Sequence, residues 1–554
     1  MSTPQDHAAR MSAELERSIK EAAEASVPNA VAISYTEMQH NGGGPICALV
    51  AADDFSRGAQ RLIGLWEDAR LELLAVDRRL FEADVRDSAL LEAAAVRLLL
   101  PYVALKGGGY LARWERLYKR RKIQESLAGL AMEHPELSSE LLVDPRYFVH
   151  DSLLRLSHLL PRAFELLGDL DEGGSELLGG FTEALRELES EGTVRIIEGL
   201  VSVDRGFVDE VLRRGFSAPD QLTRVQRQLQ GLLKLGLRGA VDLFRPPSLS
   251  VVEDLVSTAV GVQNLPRPDR FLHFPTATGI APMSEATSID EFLSRLRPPG
   301  RAGKTRLRRF GGVLNEVYML TYAVDGETRR AIMKRYPNWV SLKWAPIALW
   351  TLGTKNFAVQ GRSRMERECA TSSLLGRSGI PVPKILLTSF EDRLLVREYV
   401  EGESLADIVK AAIQGGPNGH GDLLRRAGGT VAAVHGAGAT LGDCKPENFV
   451  VAAGGEPFIV DLEQGTRGGD ETWDLAEFLY FSGHYAGPFA PLHEVVEVAR
   501  CFIEGYVAGG GDRRSAAEAA RLRYTKVFTP IALPTVISAI AQTCREEAGF
   551  KGGR

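Results

Sequence analysis

Four polar residues carry the sharpest chemical signal in this chain. In LGDCKPENFVV, Asp443, Lys445 and Asn448 share one short loop. The next apolar run, EPFIVDLEQG, leads into Asp461. FVV and FIV read as a strand pair, which brings Asn448 and Asp461 to one end of a hairpin. An amide oxygen and a carboxylate placed there can hold a hard divalent cation, with phosphate oxygens completing its shell. Asp443 can accept a hydroxyl proton or orient the attacking oxygen, and Lys445 can neutralise charge on a transferring phosphoryl group. Together these roles would suit phosphoryl transfer to a hydroxyl. Lys334 adds to the set. It ends the apolar strand AIMK, where an unpartnered ammonium is costly. The next helix, RSRMERECATSSLL, offers Glu366 or Glu368 as its partner.

The elements that must hold these groups follow from periodicity. LRRFGGVLNEVYMLTYAVDGETRRAIMKRY alternates, and Asp325-Gly326 is a strong hairpin signal. Gly311-Gly312 falls where the first strand turns into the second. The helix carrying Glu366 and Glu368 stops at Gly379-Ile380-Pro381-Val382-Pro383. A second hairpin, KILLTSF and RLLVREYV, turns at Glu391-Asp392. Glu401-Gly402-Glu403-Ser404 then opens a helical region.

In this order the motifs resemble the protein-kinase-like superfamily. The set is Gly311-Gly312, Lys334, the helix glutamate, the EYVEG connector, Asp443-x-Lys445-Pro446-Glu447-Asn448 and Asp461. DCKPENFVV is similar to the catalytic loop of serine/threonine kinases. RSRMERECATSSLLGRSGIPVP resembles the helix C segment of the KEOPS-complex and RIO-like kinases, and that register selects Glu368 for Lys334. The resemblance implies a bilobal kinase-like fold for about 304–554, with lobes at 304–402 and 403–554. It implies ATP bound by Gly311, Gly312, Lys334, Glu368, Glu398 and Val400, and Mg or Mn on Asn448 and Asp461. Asp443 and Lys445 become the catalytic pair, and Asp474 in TWDLAEFLYF braces their loop. The expected partners are a protein or small-molecule hydroxyl acceptor and a multiprotein complex. The function implied is an atypical serine/threonine protein kinase, with ATPase activity as a companion.

Three departures shape that expectation. Leu441 stands where such loops carry His. The metal aspartate lies in DLE, not DFG. Only twelve residues separate Asp461 from Asp474, with no APE, too few for a long switching loop. GGVLNEVYML and VDLEQG also resemble choline-kinase-like and aminoglycoside-phosphotransferase-like enzymes, so a small-molecule kinase is the alternative. A pseudokinase scaffold is a further one, although the full polar set argues against it.

Composition frames the rest. The 554 residues are 44% hydrophobic and 25% charged, which excludes wholesale disorder. A net charge of −6 disfavours a globally basic nucleic-acid binder. The one basic run in the first half, within 113–122, reads as a solvated helix face with Trp114 and Tyr118 turned inward. Five scattered cysteines without a CxxC fit a reducing cytoplasm. The N-terminus has no apolar signal region. The uncharged stretch from Val527 to Cys544 contains Pro530 and Pro534 and reads as a buried terminal helix, so no membrane span is expected. Residues 1–55 read as a helix and a strand pair around HNGGG, 56–243 as a helical domain of unknown role, and 244–303 as a Pro-rich linker in which Ser288 caps a short helix. The fold class expected is α+β, with a mostly α-helical N-terminal domain. His435 and Cys444 read as packing residues. Trp339, Trp344 and Trp350 sit in an insertion after Lys334, with packing as the default.

Overall fold

The computed structural model describes residues 4–37, 46–66, 69–156, 159, 175–215, 228, 230, 267–284, 293, 305–311, 315–324, 327–338, 357–415 and 420–547. The chain divides into two units, Met1–Leu272 and His273–Arg554. The architecture is mixed α+β. Gly312, Ser288, Asp325-Gly326, the HNGGG loop, Trp339, Trp344 and Trp350 lie outside the described residues.

In the first unit, α1 (Pro4–Ser26) lays Leu15, Ile19 and Ala23 on a sheet core that includes Ile33, Val50 and Leu73. The strands are β1 (Ala30–Glu37), β2 (Ile46–Ala52), β3 (Ala59–Trp66), β4 (Ala69–Asp77) and β5 (Val103–Lys106), in the order β3-β4-β2-β1-β5. Next come α2 (Arg78–Asp87), capped by the Asp77 carboxylate, and α3 (Gly108–Glu133). β6 (Leu142–Val143), α4 (Arg146–Arg155), α5 (Ser175–Ser190), β7 (Val194–Ile197), β8 (Leu200–Val203) and α6 (Arg205–Arg214) follow, with β8 between β6 and β7.

The helical reading of 56–243 is therefore corrected, since β3 to β8 lie inside it. The cause is β4. It lies between β3 and β2, and Leu73, Leu74, Ala75 and Val76 are all buried. A strand covered on both faces does not alternate, and its apolar run imitates helical spacing.

The basic run lies on α3, with Trp114 and Tyr118 buried. Arg116 and Arg120 reach Glu187 and Glu191, at 3.5 and 2.7 Å. Lys122 and Arg121 both reach the buried Glu92, each at 2.7 Å. The run is thus largely neutralised by carboxylates of its own unit.

In the second unit, β9 (Leu272–Thr276) and β10 (Gly279–Pro282) form a hairpin inside the segment read as linker. The Ala277 N–H donates to the Ile385 carbonyl at 2.8 Å, and Phe274 meets Phe390 edge to face. The antiparallel sheet that follows has β11 (Thr305–Gly311), β12 (Glu316–Val324), β13 (Glu327–Arg335), β14 (Ile385–Ser389) and β15 (Leu394–Glu398), in the order β11-β12-β13-β15-β14. Pairing of Val324 with Glu327 closes the β12–β13 hairpin. Between β13 and β14 lies α7 (Gly361–Arg377). A Cβ at Gly361 would stand 2.0 Å from the Tyr336 carbonyl oxygen, so only glycine fits where this helix begins.

The remaining elements are mainly helical. They are β16 (Gly402–Ser404), α8 (Leu405–Ile413), α9 (His420–Gly436), β17 (Ala439–Thr440), β18 (Phe449–Ala452), β19 (Pro457–Ile459), β20 (Thr466–Arg467), α10 (Glu471–His484), α11 (Leu492–Ala508), α12 (Arg513–Glu518), α13 (Leu522–Phe528) and α14 (Pro534–Glu547). α9 and α11 touch at their backbones. A Cβ at Gly428 would lie 2.1 Å from the Phe502 carbonyl oxygen, and one at Gly505 2.0 Å from that of Arg425. The stretch from Val527 to Cys544 spans the end of α13 and most of α14, and buries Phe528, Val536, Ile537, Ile540 and Cys544 in this core. Among the described residues no helix is long and apolar enough to cross a membrane.

Candidate active site

Lys334 sits on β13, in a run from Ala331 that is buried throughout. Its Nζ lies 2.7 Å from Glu368 Oε2, 2.8 Å from Asp461 Oδ1 and 3.0 Å from Glu463 Oε2. Burial alone would lower the Lys334 pKa. Asp461, Glu368 and Glu463 outweigh it and hold the ammonium charged. Glu368 comes from α7 and is fully buried. Arg397 donates to its Oε1 at 2.7 Å, and the Tyr336 hydroxyl donates to its Oε2. Glu366 instead pairs with Arg362, one turn earlier on the same helix.

Asp461 follows the β18–β19 hairpin, in which Phe449 pairs with Ile459. The Val460 N–H donates to the Asn448 carbonyl at 2.8 Å, so Asn448 and Asp461 lie at one end of the hairpin. Asn448 donates its Nδ2 to the Asp443 carbonyl oxygen at 2.7 Å and to Asp443 Oδ2 at 3.2 Å. That use of the nitrogen leaves Oδ1 as the side-chain atom able to ligate a cation. Burial pushes the Asp461 carboxyl up, but Lys334 and Arg397 outweigh it and hold the group below its ordinary value. The Lys445 ammonium lies 2.6 Å from Asp443 Oδ1 and over the Phe481 ring. Burial opposes its charge, and Asp443 with Glu477 restores it.

The loop that carries Asp443 hangs from α10. Asp474, fully buried, accepts the N–H groups of Leu441 and Gly442, both at 2.7 Å. His435 Nε2 reaches the same carboxylate at 3.1 Å, and its Nδ1 meets the Tyr506 hydroxyl at 2.9 Å. An imidazole thus reaches Asp474 from α9, while Leu441 is buried in the apolar core. Cys444 is fully buried, and burial pushes its thiol up, with Asp474, Glu477 and Asp443 adding to the effect. It is a packing group, not a thiolate.

The other expected residues lie on other elements. Gly311 ends β11, opposite Val317 across a bulge. Glu398 ends β15 and accepts the Lys384 N–H at 3.2 Å. Val400 follows in the connector, half-buried.

Sequence reasoning missed Glu463, Arg364 and Asn315. Asn315 Nδ2 donates to Glu463 Oε2 at 2.5 Å, and the buried Arg364 bonds Asn315 and lies 3.3 Å from Glu463. One signal was available: Glu463 is two residues after Asp461, the spacing that returns an extended chain to the same side. Glu368, Asp461 and Glu463 each bring a carboxylate oxygen within 4.8 Å of the others. The Lys334 ammonium already bonds all three, so a cation held by this trio would compete with it.

No family model and no curated protein sequence matches the chain. Among solved structures, the chain is similar to the Rv3197–erythromycin complex from Mycobacterium tuberculosis, at 20% identity and a TM-score of 0.20. That likeness covers 28% of this chain and 44% of the neighbour's.

Proposed function

We propose that the second unit is an ATP-dependent phosphotransferase with a protein-kinase-like site, acting on a serine or threonine hydroxyl of a protein. The observation that carries this is the joining of two pairs. Lys334 bonds Glu368 and Asp461, and Asn448, beside Asp461 at the hairpin end, bonds Asp443. Asn448 Oδ1 and the Asp461 carboxylate, 30% exposed, form an oxygen donor set suited to Mg or Mn. Held by these two residues, such a cation would supply positive charge to offset that of a bound phosphate chain.

This chain's own groups would do the rest. Lys334 has three N–H donors and three carboxylate partners. A phosphate oxygen would take the place of one of them, most simply Glu463, which keeps Arg364 and Asn315. Asp443 would accept the acceptor's hydroxyl proton, and Lys445 would offset charge on the transferring group.

One observation favours a small-molecule acceptor as a second reading. The segment after Asp461 is pinned at β20, where Thr466 pairs with Thr440, and at Asp470, which caps α10. It offers little backbone for a docked peptide. Radiolabelled ATP given to the purified protein with and without Mn tests both. Labelled protein supports the first reading, and a labelled small molecule from an added pool supports the second. No transfer and no phosphate release under either condition refutes phosphotransfer.

A further inference from the structure

Beyond its field at Lys445, Glu477 has no part in the scheme above, yet it lies beside the loop that carries Asp443. It is on α10, one turn after Asp474, and is 2% exposed. Its Oε2 accepts the Cys444 N–H at 2.7 Å. That N–H belongs to the peptide group joining Asp443 to Cys444. The carbonyl of the same peptide group accepts Asn448 Nδ2 at 2.7 Å. One peptide plane is therefore gripped at both edges, by a metal-site residue on one side and by α10 on the other.

A peptide group is planar, so fixing both edges fixes its orientation. The ψ angle of Asp443 is then set, and with it the direction in which the Asp443 side chain leaves the backbone. Asp474 holds the two preceding N–H groups, and Trp473 Nε1 donates to the Gly442 carbonyl at 3.2 Å. These contacts place the loop, but they stop short of the peptide that follows Asp443. Glu477 alone among the described residues supplies a hydrogen bond to the Cys444 N–H.

We infer that Glu477 is a positioning residue: it orients the Asp443–Cys444 peptide, and so aims Asp443 at the acceptor hydroxyl. The inference rests on the phosphotransfer reading for its kinetic consequence, though not for the tether itself. What the role needs is an acceptor oxygen, not a charge. Burial, followed by Asp443, pushes the Glu477 carboxyl well up, which agrees with a group acting through its oxygen. Glutamine keeps that oxygen and the volume; leucine keeps the volume only.

The test compares the full-length parent with Glu477→Gln and Glu477→Leu. Misplacing a reacting group by about 1 Å costs on the order of 100-fold in rate. Glu477→Leu should therefore lose about that much in kcat, with the KM for ATP within about twofold of the parent. Glu477→Gln should recover most of the loss. A glutamine variant as impaired as the leucine variant would overturn the inference, because charge would then be the requirement. So would a leucine variant with normal kcat, or one impaired only in KM. Hydrogen exchange of the peptide covering 439–448 reads the tether without any turnover. It should be slow in the parent and in Glu477→Gln, and fast in Glu477→Leu. If the parent transfers no phosphoryl group, the phosphotransfer reading falls, and exchange alone decides the tether: faster exchange in Glu477→Leu supports it and equal exchange refutes it.

Discussion

Replacing Lys334 with methionine separates the electrostatics of the site from its chemistry. The side chain is 2% exposed and bonds three carboxylates at 2.7, 2.8 and 3.0 Å. Removing one partner of a buried ion pair costs roughly 3–5 kcal/mol. Arg397 stays 2.7 Å from Glu368 and Arg364 stays 3.3 Å from Glu463, so the lower end applies, about 3 kcal/mol at pH 7. At roughly 2 °C per kcal/mol for a large domain, the midpoint should fall by roughly 6 °C. The loss must also depend on pH. In the parent, Asp461 is held below its ordinary value. A lowered folded-state pKa gives stability that is present above the unfolded value, about 3.9, and is lost as the pH falls through the folded value. In Lys334→Met, burial acts on Asp461 without the ammonium, so its folded pKa rises. The carboxylate then costs stability increasingly as the pH climbs past about 4. The gap between parent and variant should be smaller near pH 4.5 than near pH 7.5. Calorimetry of the full chain in EDTA at these two values measures it. An equal loss at both would refute the account of Lys334 as the counter-charge of this cluster.

Asp461→Asn should abolish metal-dependent phosphotransfer while leaving the fold largely intact; near-normal transfer would remove Asp461 from the proposed metal site. A fragment starting at His273 should be soluble and bind ATP, whereas one starting at Arg301 loses the β9–β10 hairpin and its contact with Ile385 and should be less stable in urea. Thr466→Ala combined with Thr472→Ala should keep transfer within roughly tenfold, about 1.4 kcal/mol of barrier, because one hydroxyl bonds Thr440 and the other residue is buried. A phosphatase-treated protein rescued only by modification of these threonines would overturn that.

The contacts that the sequence made legible share a physical reason. Lys334 at an apolar strand position demanded a carboxylate, and the resemblance of the next helix to a kinase helix C segment selected Glu368. Asn448 and Asp461 flank a short strand pair, so the hairpin itself brings them together. What stayed hidden depended on tertiary approach. Arg364 and Asn315 are far apart in sequence, yet they bond each other directly and both reach Glu463. Nothing in the sequence marks Glu477 off from other helix charges, and only the position of the Cys444 N–H gives it meaning. In the first unit, β4 hid because a strand buried on both faces loses the alternation that would mark it.

The glycine contact between α9 and α11 sets a tolerance for the loop that carries Asp443. Tyr506 directly follows Gly505, and His435 lies about two turns beyond Gly428. Their hydrogen bond spans the gap that the two glycines define, and His435 passes it on to Asp474. A methyl group at Gly428 or Gly505 would overlap a backbone carbonyl and wedge the helices apart. The His435–Tyr506 bond would stretch first, and Asp474 would lose a lateral support while its own neighbours remained well packed. The gap works as a gauge block: two absent side chains, on helices that do not carry Asp443, fix how closely one side of the Asp474 anchor is held.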